Sequence, residues 1–116
     1  MAKEIFRMDC HIHTFPMSAC SRMSPEEAIN AALNTGLDGI VITEHDVMRD
    51  SGGIEYLEGI AMGRLKVFNG VEVSCREGHF LVFGLKDTAC IHFDMRAESL
   101  IRLAHVQEAA VVVAHP

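Results

Sequence analysis

Seven histidines stand in a chain of 116 residues, and five of them fall where a strand begins or ends. His11 and His13 are one residue apart in Asp9-Cys10-His11-Ile12-His13. Side chains on a strand alternate with period two, so both imidazoles face one side. Two imidazoles on one face at a strand end can share one metal ion. They add nothing to a core, because each ring nitrogen needs a partner. His45 follows an apolar run in Thr43-Glu44-His45-Asp46. Glu72 lies between Val71 and Val73, where a carboxylate is costly unless it pairs with a cation such as Arg76 or binds metal. His79 opens a later strand and comes close to Glu72 across a hairpin turn. His115 closes the last strand.

Imidazoles with a carboxylate able to bridge suit Zn, Mn or Fe better than Ca or Mg. Two or three such ions would activate a water nucleophile and bind phosphoryl oxygens as Lewis acids. Each group alone also has an ordinary reading. His45 can be a solvated loop residue, His79 an edge-strand residue and His115 a terminal one. Their coincidence at element ends favours metal. Cys20, in the loop after the first pair, reads on spacing alone as a free thiol. His92 and His105 read as a loop residue and a helix-surface residue.

Elements must hold these groups. Residues 5–8 read as a short strand leading into the first pair, broken at Thr14-Phe15-Pro16. Ser24-Pro25-Glu26-Glu27 is a helix start with a cap, a proline at the first position and a capping box. Ala28, Ile29, Ala32 and Leu33 form that helix's apolar face, and Gly36 stops it. Residues 40–43 read as a buried parallel strand that ends in the polar burst at Thr43. Strand, helix, strand makes a right-handed crossover, which brings His45 near His11 and His13.

Residues 50–53 read as a loop and 54–62 as a short helix. Residues 65–68 read as a strand interrupted at Asn69-Gly70, and residues 71–84 as a β-hairpin. A helix is predicted over 96–109, with Leu100, Ile101 and Ala104 on one face. Residues 110–114 read as a buried strand.

The whole chain is one domain at most. Its 16 acidic residues against 10 basic ones give a formal charge of −6, which argues against non-specific nucleic-acid binding. It holds neither a membrane span nor a signal-peptide core. Four cysteines without a Cys-x-x-C pair fit reduced thiols and a cytoplasmic setting.

Taken in order, these motifs resemble the polymerase and histidinol phosphatase (PHP) domain. They are Asp-x-His-x-His at 9–13, Thr-Glu-His-Asp at 43–46, Gly-Val-Glu at 70–72, His79 and Ala-His-Pro at 114–116, together with the Ser-Pro-Glu-Glu helix start. The resemblance implies a distorted TIM-like (β/α)7 barrel with up to three divalent ions (Zn, Mn or Fe) at the C-terminal ends of its strands. It implies that His11 and His13 bind one ion with Glu72, and that Glu72 bridges to a second held by His79 and His115. His45 helps bind a third, while Asp9 and Asp46 orient imidazoles from behind. Cys20 stands where the family usually offers Asp or His to the third ion; as a thiolate it would favour Zn or Fe.

The implied activity is hydrolysis of a small phosphorylated metabolite or nucleotide by a metal-activated water. The alternative is a degenerate, non-catalytic metal-binding or interaction module of a larger assembly. The family's later Asp-x-His motif does not occur in these residues. The expectation is therefore a single PHP-type domain over 1–116, truncated after Ala-His-Pro and supplying about the first half of the barrel. A fragment, a partner chain, or a homo-oligomer covering the open edge would each complete it.

Overall fold

A computed structural model describes residues 4–116. One curled five-stranded sheet carries three helices. The strands are β1 (Met8–Ile12), β2 (Gly39–His45), β3 (Lys66–Cys75), β4 (Gly78–Phe83) and β5 (Ala110–Val113). The helices are α1 (Pro25–Asn34), α2 (Ser51–Ile60) and α3 (Ala97–Val106). Spatial order equals sequence order, β1-β2-β3-β4-β5. β1, β2 and β3 run parallel; β4 and β5 pair antiparallel.

The helices cover one face. Ile29 and Ala32 of α1 and Leu57 of α2 pack on Ile40 and Ile42 of β2 and Val67 of β3. Leu100 and Ala104 of α3 pack on Val71, Val73 and Val82. The opposite, concave face holds an open hollow of about 420 Å³ lined by Met8, Cys10, Val41, Phe68 and Phe83 among others.

The crossover unit and the 71–84 hairpin form as the sequence predicts. Ser24 caps α1 by accepting the Glu27 N–H at 3.1 Å, and Gly36 takes φ +78° just beyond the helix. Other boundaries differ. β1 begins at Met8 and contains the His pair's first member instead of leading into it. β2 runs on through Thr43, Glu44 and His45, because those polar side chains find partners there. α2 begins at Ser51, since the Asp50 carboxylate accepts the Gly53 N–H at 2.7 Å and turns the expected loop into a first helical turn.

Asn69-Gly70 does not interrupt β3. The Asn69 side-chain amide is held by the Arg49 carbonyl. A Cβ on Gly70 would meet the side chains of Thr43 and Val41 at 3.1 Å and Phe83 at 3.2 Å. α3 ends at Val106, and Ile101 is half exposed rather than part of the packed face. β5 is not buried. Among the described residues it pairs with β4 alone, and Val112 and Val113 are 49% and 64% exposed.

Candidate metal centre

β1 carries an irregularity. Asp9 pairs with Ile40 but Ile12 pairs with Ile42, so three steps on β1 match two on β2. Met8 and Cys10 both face the concave hollow, and strict alternation would then send His11 and His13 to the helix side. The extra residue reverses the phase, a common use of a bulge beside a site. Ile12 packs instead into the helix-side core, and both imidazoles turn toward β3. The Asp9 carboxylate accepts the His11 N–H at 3.0 Å. The Thr43 hydroxyl accepts the Ile12 N–H at 3.1 Å and donates to the Ile12 carbonyl at 3.3 Å. These bonds supply partners where the ladder is broken.

Glu72 is the centre of the cluster. It projects from β3 to the concave side and is fully buried. Its Oε1 lies 2.5 Å from His11 Nε2 and 3.1 Å from His13 Nε2. Its Oε2 lies 2.7 Å from His79 Nδ1, 3.5 Å from His115 Nε2 and 3.9 Å from His45 Nδ1. The His79 contact follows from register: Ser74 pairs with His79, and Glu72 is two residues back on the same face. His45 pairs directly with Glu72, and its ring stacks on His13 with centroids 4.2 Å apart. Burial opposes ionisation of Glu72, but hydrogen bonds from His11 and His79 and neighbouring imidazole charge hold its pKa below the usual value. Burial, then the nearby His45, lowers the His13 pKa and favours the neutral, lone-pair-bearing ring.

A second buried carboxylate stands behind the first. Glu44 is fully buried. Its Oε1 accepts the Thr14 N–H and the Ser18 hydroxyl, each at 2.7 Å. Its Oε2 accepts the Thr14 hydroxyl and, at 3.1 Å, the Arg49 guanidinium. Burial disfavours its charge, yet the bonds from Thr14, Ser18 and Arg49 win and its pKa is lowered. The Thr-Glu-His-Asp segment points to His45 in the sequence, but not to Glu44 or its partners Thr14, Ser18 and Arg49. The available signal was a charged residue inside a β-branched strand, which is costly unless partnered.

The structure brings His11, His13, His45, Glu72, His79 and His115 together. Donor atoms of His11, His13 and Glu72 lie within 4.8 Å of one another, as do those of His45, Glu72 and His79, and those of His13, Cys20 and His45. The exposed Cys20 thus folds back to the centre rather than standing apart.

Asp9 and Asp46, which the resemblance sets behind the imidazoles, have main-chain partners in the structure. Asp9 bonds the His11 main chain, and the Asp46 carboxylate accepts the Ser74 N–H at 2.7 Å. Both brace backbone: the bulge leaves the His11 N–H to be satisfied, and the β2–β3 pairing ends at His45 and Glu72, before Ser74. Arg76 does not pair with Glu72; it bonds Asp94 at 3.4 Å on the surface. His92 and His105 are exposed, away from the cluster.

The donor set fits a metal. His11 Nε2 and His13 Nε2 are 3.2 Å apart and converge on one oxygen. One acceptor oxygen cannot orient two rings that also face each other as well as a cation can. His13 Nδ1 is buried without a hydrogen-bond partner. Nitrogen donors on both sides of one carboxylate are what two neighbouring divalent ions require.

Against models of known families, residues 9–111 match the PHP domain. No curated protein matches the chain.

Proposed function

The chain belongs to the PHP domain family, and from that premise we propose that it is a metal-dependent phosphoesterase acting on a small phosphorylated metabolite or nucleotide. One observation supports this above all: five imidazoles surround the two oxygens of a single buried carboxylate. Divalent ions held there supply Lewis acidity toward phosphoryl oxygens and lower the pKa of water.

The chain's own residues do the rest. His11, His13 and Glu72 Oε1 would hold one ion; Glu72 Oε2, His79 and His115 would hold a second; His45 and Cys20 would serve a third. Hydrogen bonds from His11 and His79 favour the ionised form of Glu72, whose charge would offset that of bound cations. The donors suit Zn, Mn or Fe, and the Cys20 thiol shifts the third position toward Zn or Fe. We read the sheet as part of a distorted TIM-like barrel, with the donors at the C-terminal ends of β1 and β2 where such barrels carry their sites. A second copy of the chain is the partner we propose for the open sheet. No helix among the described residues is long and apolar enough to cross a membrane. Free thiols at Cys10, Cys20, Cys75 and Cys90 accord with a reducing cytoplasm.

The test is elemental analysis of the purified protein followed by a panel of phosphomonoesters and phosphodiesters with Zn and Mn added. Bound divalent metal and turnover of at least one substrate are expected. Bound metal without turnover across the panel overturns the enzyme reading in favour of a non-catalytic metal-binding module. An intact fold that takes no metal leaves only an interaction module.

A further inference from the structure

We propose that Glu44 is a positioning residue that presents His13, Cys20 and His45 together as a thiolate-containing metal position. The inference rests on the metal-binding reading above and goes beyond it, because Glu44 belongs to none of the donor groups. His13 and Cys20 are one and two residues from groups that Glu44 holds, and His45 is next to Glu44 itself. Thr14 follows His13 and gives Glu44 both its N–H and its hydroxyl. Ser18 precedes Cys20 by two residues and donates its hydroxyl to Glu44 at 2.7 Å. His45 follows Glu44 in β2, and its N–H donates to that same Ser18 oxygen at 3.1 Å. One carboxylate thus ties the exit of β1, the loop leading to Cys20 and the end of β2 into a single unit.

Thr14, Ser18 and Glu44 are at most 1% exposed, so water does not compete for these bonds. Stability alone is a weak reason for such a network, since buried ion pairs are often matched by apolar packing of similar volume. Arg49 completes it by bonding both the Glu44 carboxylate and, at 3.2 Å, the Thr14 hydroxyl. The Arg49 carbonyl in turn holds Asn69 of β3, the strand that carries Glu72.

The test titrates the whole protein with cobalt(II), reading stoichiometry and the near-ultraviolet thiolate-to-cobalt charge-transfer band, with circular dichroism as the check on folding. The wild type is expected to show the band, and Cys20→Ser to abolish it. Glu44→Gln and Ser18→Ala are expected to stay folded and keep cobalt at the Glu72 donors. Both should lose the band or bind at least tenfold more weakly at the thiolate position, while Ser18→Thr, which retains the hydroxyl, restores it. A merely structural role would lower thermal stability without changing the spectrum. If Glu44→Gln does not fold, the Ser18→Ala and Ser18→Thr pair decides. Band and affinity unchanged in the folded variants overturn the positioning role alone, as does wild-type binding without a band. A wild type that takes no cobalt overturns the metal reading and this proposal with it.

Discussion

At the scale of single residues, charge placement decides the centre. Replacing Glu72 by Gln keeps the shape but removes the one anion that five imidazoles surround. Metal affinity is expected to fall by more than about 100-fold, since even partners behind the ligands are worth about 10–100-fold. Competition with a chelating dye would measure it; an unchanged affinity would contradict a bridging carboxylate. Cys75 provides a control far from such chemistry. Burial, reinforced by the charges of Glu77 and Asp46, pushes its thiol up to about 11. At pH 8 iodoacetamide should label the exposed Cys10 and Cys90 and, in metal-free protein, Cys20, and spare Cys75, as peptide mapping would show. The folded state therefore holds this proton more tightly than the unfolded chain, whose thiol titrates near 9.0. Its contribution to stability is complete below pH 9 and is lost as pH rises toward 11. Glu72 and His79 were legible as neighbours because a hairpin fixes local register. Glu44 was not, because its partners Thr14 and Ser18 lie 30 and 26 residues away, on a loop whose return the sequence does not encode locally.

At the scale of elements, the cap of α1 is legible in the sequence, whereas the Asp50 cap of α2 lies in a stretch that reads as a loop and the exposure of β5 depends on tertiary context. The Ser24 cap depends on residues three apart. Ser24→Ala is expected to cost about 1 kcal/mol and to lower Tm by roughly 4 °C or more, measurable by calorimetry. β5 is the counterexample. Ala110-Val111-Val112-Val113 has the composition of a buried strand, yet apolarity says nothing about whether a second neighbour exists. Gly70 sits where β2, β3 and β4 crowd together. Gly70→Val should destabilise the sheet by about 1–3 kcal/mol through overpacking, read as a lower denaturation midpoint. The β1 bulge makes residue number matter as much as residue type. Deleting Cys10, which contributes no donor to the cluster, should remove the bulge and leave Met8, His11 and His13 on one face by strict alternation. Metal binding retained together with the fold is the outcome that supports this phase argument, and its loss would contradict it. Cys10→Ala, which preserves the count, should bind normally.

At the scale of the whole molecule, the concave face is unevenly built. One end is the histidine cluster; the rest is an apolar strip in which Met8 and Phe68 are 43% and 48% exposed. Such strips mark surfaces that associate. Sedimentation should show reversible self-association that Phe68→Ser weakens without changing the far-ultraviolet spectrum. A strictly monomeric wild type at every concentration would remove the proposed second copy. The sequence showed each strand separately, but the curl that gathers them arises only once the sheet exists. The strand order has a further consequence, for the history of the molecule rather than its finished form. Every strand of the sheet hydrogen-bonds to the strand made just before it. During synthesis, which adds about 5–20 residues each second, each new strand therefore meets an edge already in place and need not displace an earlier one. The donors follow the same schedule: His11 and His13 first, then His45, then Glu72 with His79, and His115 last. The position proposed on His11, His13 and Glu72 Oε1 is therefore complete in the chain before β5 is translated, and ion capture there would not have to wait for that strand.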